Sequence, residues 1–295
     1  MREGRRLFCE ISPFTYKISV LKCRLFRHAS NLFGLKRFAV RKSGTRLPVL
    51  LYSHKSLIRR KLGEVDPILQ ENKSVNLSIA APKVSHVLIR PGESFSFWKL
   101  VGSCTAKKGY KEGLTIRRGQ VGRSVGGGMC QFTNLIHWMV LHTPMQITEH
   151  HHHDGVDLFP DHGRQIPFGV GTSILYNYLD YRFYNSTENI FQLVVYTTGQ
   201  YLCGELRAME PLTCRYHITA ENEFFSLEPE GVFRNNSIYR ECIDARTGKI
   251  MKKERIKTNH AKVMYDTSLL AGSLKTPPAE LGASGSAADS AAAHL

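Results

Sequence analysis

Cys130 follows three consecutive glycines, Gly126, Gly127 and Gly128, and precedes Gln131 and an apolar stripe of Phe132, Leu135, Ile136, Met139 and Val140 that ends near Pro144. The stripe has helical period, so the thiol falls in the first turn of a helix over about 129–142. Unpaired N–H groups and the positive end of the helix dipole favour a thiolate there, which serves as a nucleophile or a metal ligand. Residues without Cβ let a substrate approach the sulfur and leave backbone amides for an oxyanion, which marks Gly126, Gly127 and Gly128 as substrate-binding candidates. Downstream, His150, His151, His152 and His153 supply imidazoles, and Asp154, Asp157 and Asp161 are acids able to orient one of them.

Three chemistries fit this constellation. In a cysteine hydrolase or acyl-transferase, Cys130 attacks a carbonyl, His151 or His153 serves as base and then acid, Gln131 or the amides after the glycines bind the oxyanion, and Asp154 or a nearby acid holds the imidazole. A helix-terminal Cys followed by an antiparallel sheet and a later His is also the order of papain-like hydrolases, an analogy of arrangement only. Alternatively, Cys130, His151 and His153 hold Zn²⁺ with water as fourth ligand. In the third reading the Gly and His blocks shape a non-catalytic recognition surface, Cys130 is a buried structural thiol, and the histidines form a solvated loop.

The elements that must position these groups follow from pattern and charge. The 295 residues carry a formal charge of +15, and residues 1–62 hold 16 Lys or Arg against Glu3 and Glu10, leaving the remainder near neutral. Within 17–42 a basic helix is expected, its stripe Leu21, Leu25, Leu32 and Leu35 set off from Lys22, Arg24, Arg27, Lys36 and Arg37. Such a helix either packs its leucines on the body or lies on an anionic membrane surface. Residues 53–80 read as one or two further helices around Asp66-Pro67, 87–89 and 95–100 as strands about the Pro91-Gly92 turn, and 105–128 as hairpin and loop. Candidate strands at 174–184, 190–198, 201–208, 213–219, 237–243 and 248–257 make an antiparallel sheet. The fold class is therefore α+β, with the 129–142 helix packed on that sheet. The expected organisation is a basic helical region over 1–80, an α+β domain over 81–260 and a disordered Ala/Ser/Gly-rich tail over 270–295.

Other classes are excluded or disfavoured. No apolar run approaches the ~18 residues of a spanning helix, and no secretory h-region follows the first residues, so the expected location is cytoplasmic, at the inner membrane surface if the basic helix docks there. Seven dispersed cysteines without CxxC spacing write neither a disulfide framework nor a structural zinc site. No nucleic-acid-binding motif accompanies the basic segment.

The blocks Pro91-Gly92-Glu93-Ser94-Phe95-Ser96-Phe97, Val101-Gly102, Lys108-Gly109-Tyr110, Gly113, Gly126-Gly127-Gly128-Met129-Cys130-Gln131 and Glu149-His150-His151-His152-His153 together resemble the VanW family. Further blocks, Leu141-His142-Thr143-Pro144, Gln165-Ile166-Pro167-Phe168-Gly169 and Tyr176-Asn177-Tyr178, extend the resemblance over roughly 45–245. It implies an association with glycopeptide resistance and the cell envelope, with a peptidoglycan precursor or peptide as the partner, and it names no reaction. By motif position it implies Gly126, Gly127, Gly128, Cys130, Gln131, His151 and His153 as site residues. Where the family usually carries Arg and Ser in the His motif, this chain has His150 and Asp154.

Overall fold

The computed structural model describes residues 8–34, 36–60, 66–117, 120–152, 155–160, 165–268, 270 and 274–275. Helix α1 (Pro13–Phe33) begins with a reciprocal cap: Ser12 Oγ accepts from the Thr15 N–H at 3.2 Å, and Thr15 Oγ1 accepts from the Ser12 N–H at 3.0 Å. Strands β1 (Arg37–Phe38) and β2 (Val49–Leu57) follow. Helix α2 (Pro67–Val84) is started by Asp66, whose carboxylate accepts from the Ile68 N–H, with proline in the first turn. Next come β3 (Val87–Ile89), β4 (Glu93–Ser96), the one-turn α3 (Phe97–Val101) and the hairpin β5 (Glu112–Arg117) and β6 (Gln120–Val125). Helix α4 (Met129–Leu141) precedes β7 (Gln146–Glu149), β8 (Val156–Asp157), β9 (Arg182–Tyr184), β10 (Phe191–Thr197) and β11 (Tyr201–Ala208). Three long strands, β12 (Cys214–Glu228), β13 (Gly231–Asp244) and β14 (Ile250–Val263), and the short β15 (Leu274–Lys275) complete the chain.

These strands pair in the orders β2-β11-β10-β3, β1-β4-β9-β7 and β15-β12-β13-β14-β8, beside the β5-β6 hairpin. The first sheet is antiparallel throughout, with Leu206 opposite Tyr52 and Phe191 opposite Ile89. Helix α4 lies on it at close range: a Cβ on Gly204 of β11 would come within 2.6 Å of Met139 Cε and 3.0 Å of Leu135 Cδ2. Phe132, Leu135, Ile136 and Met139 are fully buried with Leu77, Val84, Phe95, Phe183, Leu202 and Leu206 in one core. Residue 80 lies inside α2, and Ala80 and Ala81 belong to this same core. A second cluster joins Trp138 and Leu141 of α4 to Ile218 and Ile238 of the long-stranded sheet.

The α+β class, the α4 helix on an antiparallel sheet and the 105–128 hairpin are as the sequence reads. Other expectations are corrected. Residues 53–57 belong to β2, where β-branching is scarce but each residue pairs with β11. The second strand near 95–100 becomes β4 and α3, because Ser96 Oγ accepts from the Lys99 N–H and turns the chain into a helix. Within 174–184 only 182–184 is strand. The candidates at 213–219 and 237–243 are the ends of longer strands, β12 and β13, which meet at Glu228–Gly231. The expected disordered tail lies outside the described residues apart from Leu270 and Leu274–Lys275, the latter paired with Phe225 and Ser226.

Candidate functional site

Gly128 caps α4 with φ +96°, so the chain turns sharply into the helix with Cys130 in its first turn. The space left by the three glycines is used by the protein itself. A Cβ on Gly126 would meet Cys104 at 2.4 Å, one on Gly127 would meet the Gly113 backbone at 2.2 Å, and one on Gly128 would meet Lys73 Cγ at 2.3 Å. The Cβ positions that these glycines leave empty admit Gly113 of β5, Cys104 and a lysine stem. Asn76 of α2 fixes the turn, donating to Lys111 O and Gly127 O at 2.9 Å each and accepting from the Lys111 N–H at 2.7 Å.

Behind Cys130, Thr133 shares a hydrogen bond with Thr172, and Asn134 Oδ1 accepts from the Thr172 N–H at 2.7 Å and from its hydroxyl at 2.8 Å. The segment 171–174 is thereby clamped between α4 and the histidine run. On one side the Ile174 backbone hydrogen-bonds the Cys130 thiol, and on the other the Ser173 N–H donates to His151 O at 2.6 Å. Cys130, His150, His151 and His152 line one groove of about 1710 Å³, with Gly126, Gly127, Gly128 and Gln131 in the same wall.

The electrostatics differ from the expected activated thiol. Burial pushes the Cys130 thiol up, and the Ile174 and Cys130 backbone hydrogen bonds only oppose it. No hydrogen bond joins its sulfur to an imidazole among the described residues. Gln131 donates both amide hydrogens to β2, to Ser56 Oγ and Leu57 O at 2.8 Å each, tying α4 to the sheet. His150 is pushed down to about 4, chiefly by burial. It donates from Nε2 to Gly171 O at 2.8 Å and stacks on buried His137 with ring centroids 4.3 Å apart. His137 is lowered further by burial and shares a hydrogen bond with Tyr181 Oη at 3.1 Å.

His151 is the imidazole with an orienting acid, and that acid is Glu149. His151 Nε2 donates to Glu149 Oε1 at 3.1 Å, which leaves Nδ1 to accept a proton when the ring is neutral. Glu149 is itself held by a bidentate Arg27 at 2.6 and 2.7 Å and by the Asp180 N–H at 2.9 Å. Burial opposes its charge, yet the bonds from His151, Arg27 and Asp180 outweigh it and hold the carboxyl at about 2. Asp157 instead faces Arg234 and Tyr265. His153, Asp154 and Asp161 lie outside the described residues. No group of three or more His, Cys, Asp or Glu is placed to hold a metal among the described residues.

Comparison with known proteins agrees with these motifs. A family described as VanW like protein matches residues 72–207. The chain is 32% identical over 219 residues to the Vancomycin B-type resistance protein VanW of Enterococcus faecalis (strain ATCC 700802 / V583), covering 74% of this chain and 79% of that protein. This chain belongs to the VanW family. It is also 30% identical over 118 residues to the uncharacterized protein YoaR of Bacillus subtilis (strain 168), covering 39% of this chain and 36% of YoaR. No solved structure matches it significantly.

The VanW region thus runs from within α2 to β11, and α2 supplies two wall residues that motif reading passed over, Gln70 and Lys73. Gln70, Lys73 and Asn76 are buried at 7, 6 and 0% exposure on the face that also carries Leu69, Leu77, Ala80 and Val84. The readable signal was three polar residues at three-residue spacing on an otherwise apolar stripe. Lys73 is pushed down to about 7 by burial and then by Arg60 and Arg59.

Proposed function

We propose that this VanW-family protein serves glycopeptide resistance at the cell envelope by taking a peptidoglycan precursor or peptide into the Cys130 groove. One observation carries this reading: the groove gathers the described residues of the Gly-Cys-Gln and His motifs on shared walls, although 20 residues separate Cys130 from His150. The resistance link comes from the name of the Enterococcus faecalis relative.

A second reading, acyl transfer or hydrolysis, is favoured by the His151–Glu149 bond. Here the neutral Cys130 thiol attacks a carbonyl while its proton passes to His151 Nδ1; the C–S bond forms, the bond from the carbonyl carbon to the leaving group breaks as that group takes the proton from His151, and water or an acceptor amine then cleaves the thioester and restores the thiol. Binding of the substrate over the sulfur would have to bring thiol and imidazole together. Cys130→Ser separates the two readings. Under the binding reading this variant folds, retains precursor and supports resistance. Under the catalytic reading it folds and binds but loses the phenotype and any thioester trapped by mass spectrometry.

The membrane expectation is part of the proposal. Helix α1 turns Phe14, Ile18, Leu21, Leu25, Phe26 and Phe33 outward, each between 41 and 82% exposed, with Lys17, Lys22, Lys36 and Arg37 exposed beside them. Its occupant is taken to be an anionic leaflet, on grounds of charge complementarity.

A further inference from the structure

The described lining of the groove is basic and holds no carboxylate. Arg24, Lys55, Arg60, Lys73 and Lys257 line the groove with His54, His150, His151 and His152, and no described lining residue is Asp or Glu. Lys73 is the buried member. Its stem crosses Gly128, and it makes no hydrogen bond or ion pair among the described residues. One turn away on the same helix, Gln70 Nε2 is buried without a partner among the described residues, while Gln70 Oε1 accepts from the Arg60 N–H at 3.4 Å. Orphaned donors of this kind cost stability unless something else satisfies them. Opposite both residues stands the positive end of the 13-residue α4, a setting that favours anions.

We propose that Lys73 and Gln70, with Arg60 and the start of α4, form an anion subsite of the groove that binds a phosphoryl or diphosphate group. A single carboxylate would leave most of this positive charge unmatched. A ligand of charge about −2 or more supplies acceptors to the ammonium, the amide and the helix amides together. The downward push on Lys73 fits the same picture, since burial and two neighbouring arginines disfavour an ammonium that has no counter-ion among the described residues. The subsite goes beyond the function proposed above and holds whether or not Cys130 is a nucleophile.

Calorimetric titration of the full chain with inorganic pyrophosphate tests it. Saturable binding is expected, weakened at least tenfold in Lys73→Met and severalfold in Gln70→Leu. Methionine keeps the stem over Gly128, so the Lys73→Met melting temperature should hold or rise; Gln70→Leu provides the readout if it falls. A parallel arm measures association with phosphatidylglycerol vesicles. If Lys73→Met also lowers that association, the phosphate recognised is a lipid headgroup's; if it does not, the phosphate is a soluble one, and either result supports the subsite. Absence of pyrophosphate binding in the wild type, or binding by both α2 variants within twofold of wild type, would overturn it.

Discussion

Cys130 sits under two opposing influences, the first turn of α4 favouring a thiolate and burial favouring the thiol, and burial wins. Iodoacetamide should therefore label Cys130 more slowly at pH 7 than an exposed thiol, with the rate climbing as pH passes 9; peptide mapping that finds it the fastest of the seven at pH 7 would contradict this. Glu149 gives a second residue-scale expectation. Its carboxyl lies at about 2 in the fold against an ordinary 4.5, so its ionisation stabilises the protein above pH 4.5 and that contribution fades as pH falls toward 2. At 1.36 kcal/mol per unit the full effect is on the order of 3 kcal/mol. His150, kept neutral down to about 4, adds in the same direction, because the unfolded chain binds its proton below pH 6.5. Urea unfolding should show stability declining from pH 6.5 downward. Glu149→Gln should be weaker than wild type at pH 7 and should lose less stability than wild type between pH 4.5 and 3; a parent-like acid slope in that variant would rule the account out.

At the scale of elements, the junction of β5, α2 and α4 depends on backbone meeting backbone. Gly127→Ala places a methyl 2.2 Å from Gly113 C and O, neither of which is a flexible side-chain end. The expected loss is ~1–3 kcal/mol or more from overpacking, read as a lower urea midpoint, whereas Gly199→Ala, with nothing within 4 Å, should stay within ~0.5 kcal/mol. Equal midpoints would show that the junction yields. This junction also shows what pattern can and cannot convey. Period 3.6 after Gly128 marks α4, while β10 reads as a short apolar run whose first five residues are buried on both faces of the sheet. The purpose of the glycines was not legible: the sequence records a missing Cβ but not that Cys104, Gly113 and Lys73 fill the space. Glu149 as the partner of His151 was equally hidden, since the arginine that buries and charges it comes from α1, 122 residues away. Residues 53–57 mislead for a related reason. Their strand identity comes from pairing with β11 rather than from local preference.

For the whole molecule, the orientation of α1 is the feature that most departs from an ordinary soluble body. A helix that stabilises a core turns its apolar stripe inward. Here Arg24 donates to Tyr176 O at 3.2 Å, Arg27 reaches Glu149 and Tyr178 O, and Asn31 accepts from Arg182, so the polar face is the docked one. The reading in which the leucines pack on the body is thus corrected: Leu21 and Leu25 are 57 and 60% exposed. No helix among the described residues is long and apolar enough to cross a membrane, so α1 would lie in the interface plane. Two separable consequences follow for vesicle co-sedimentation. Replacing Phe14, Leu21 and Leu25 together by Gln should abolish association with phosphatidylglycerol vesicles while leaving the unfolding midpoint unchanged or higher, because no buried surface is lost. Raising salt from 50 to 500 mM should weaken, without abolishing, the association of the parent protein, because the lysines are screened while the phenylalanines and leucines are not. Association that survives the triple replacement would move the membrane contact off α1. A midpoint that drops several degrees would mean that this face is covered by the protein itself.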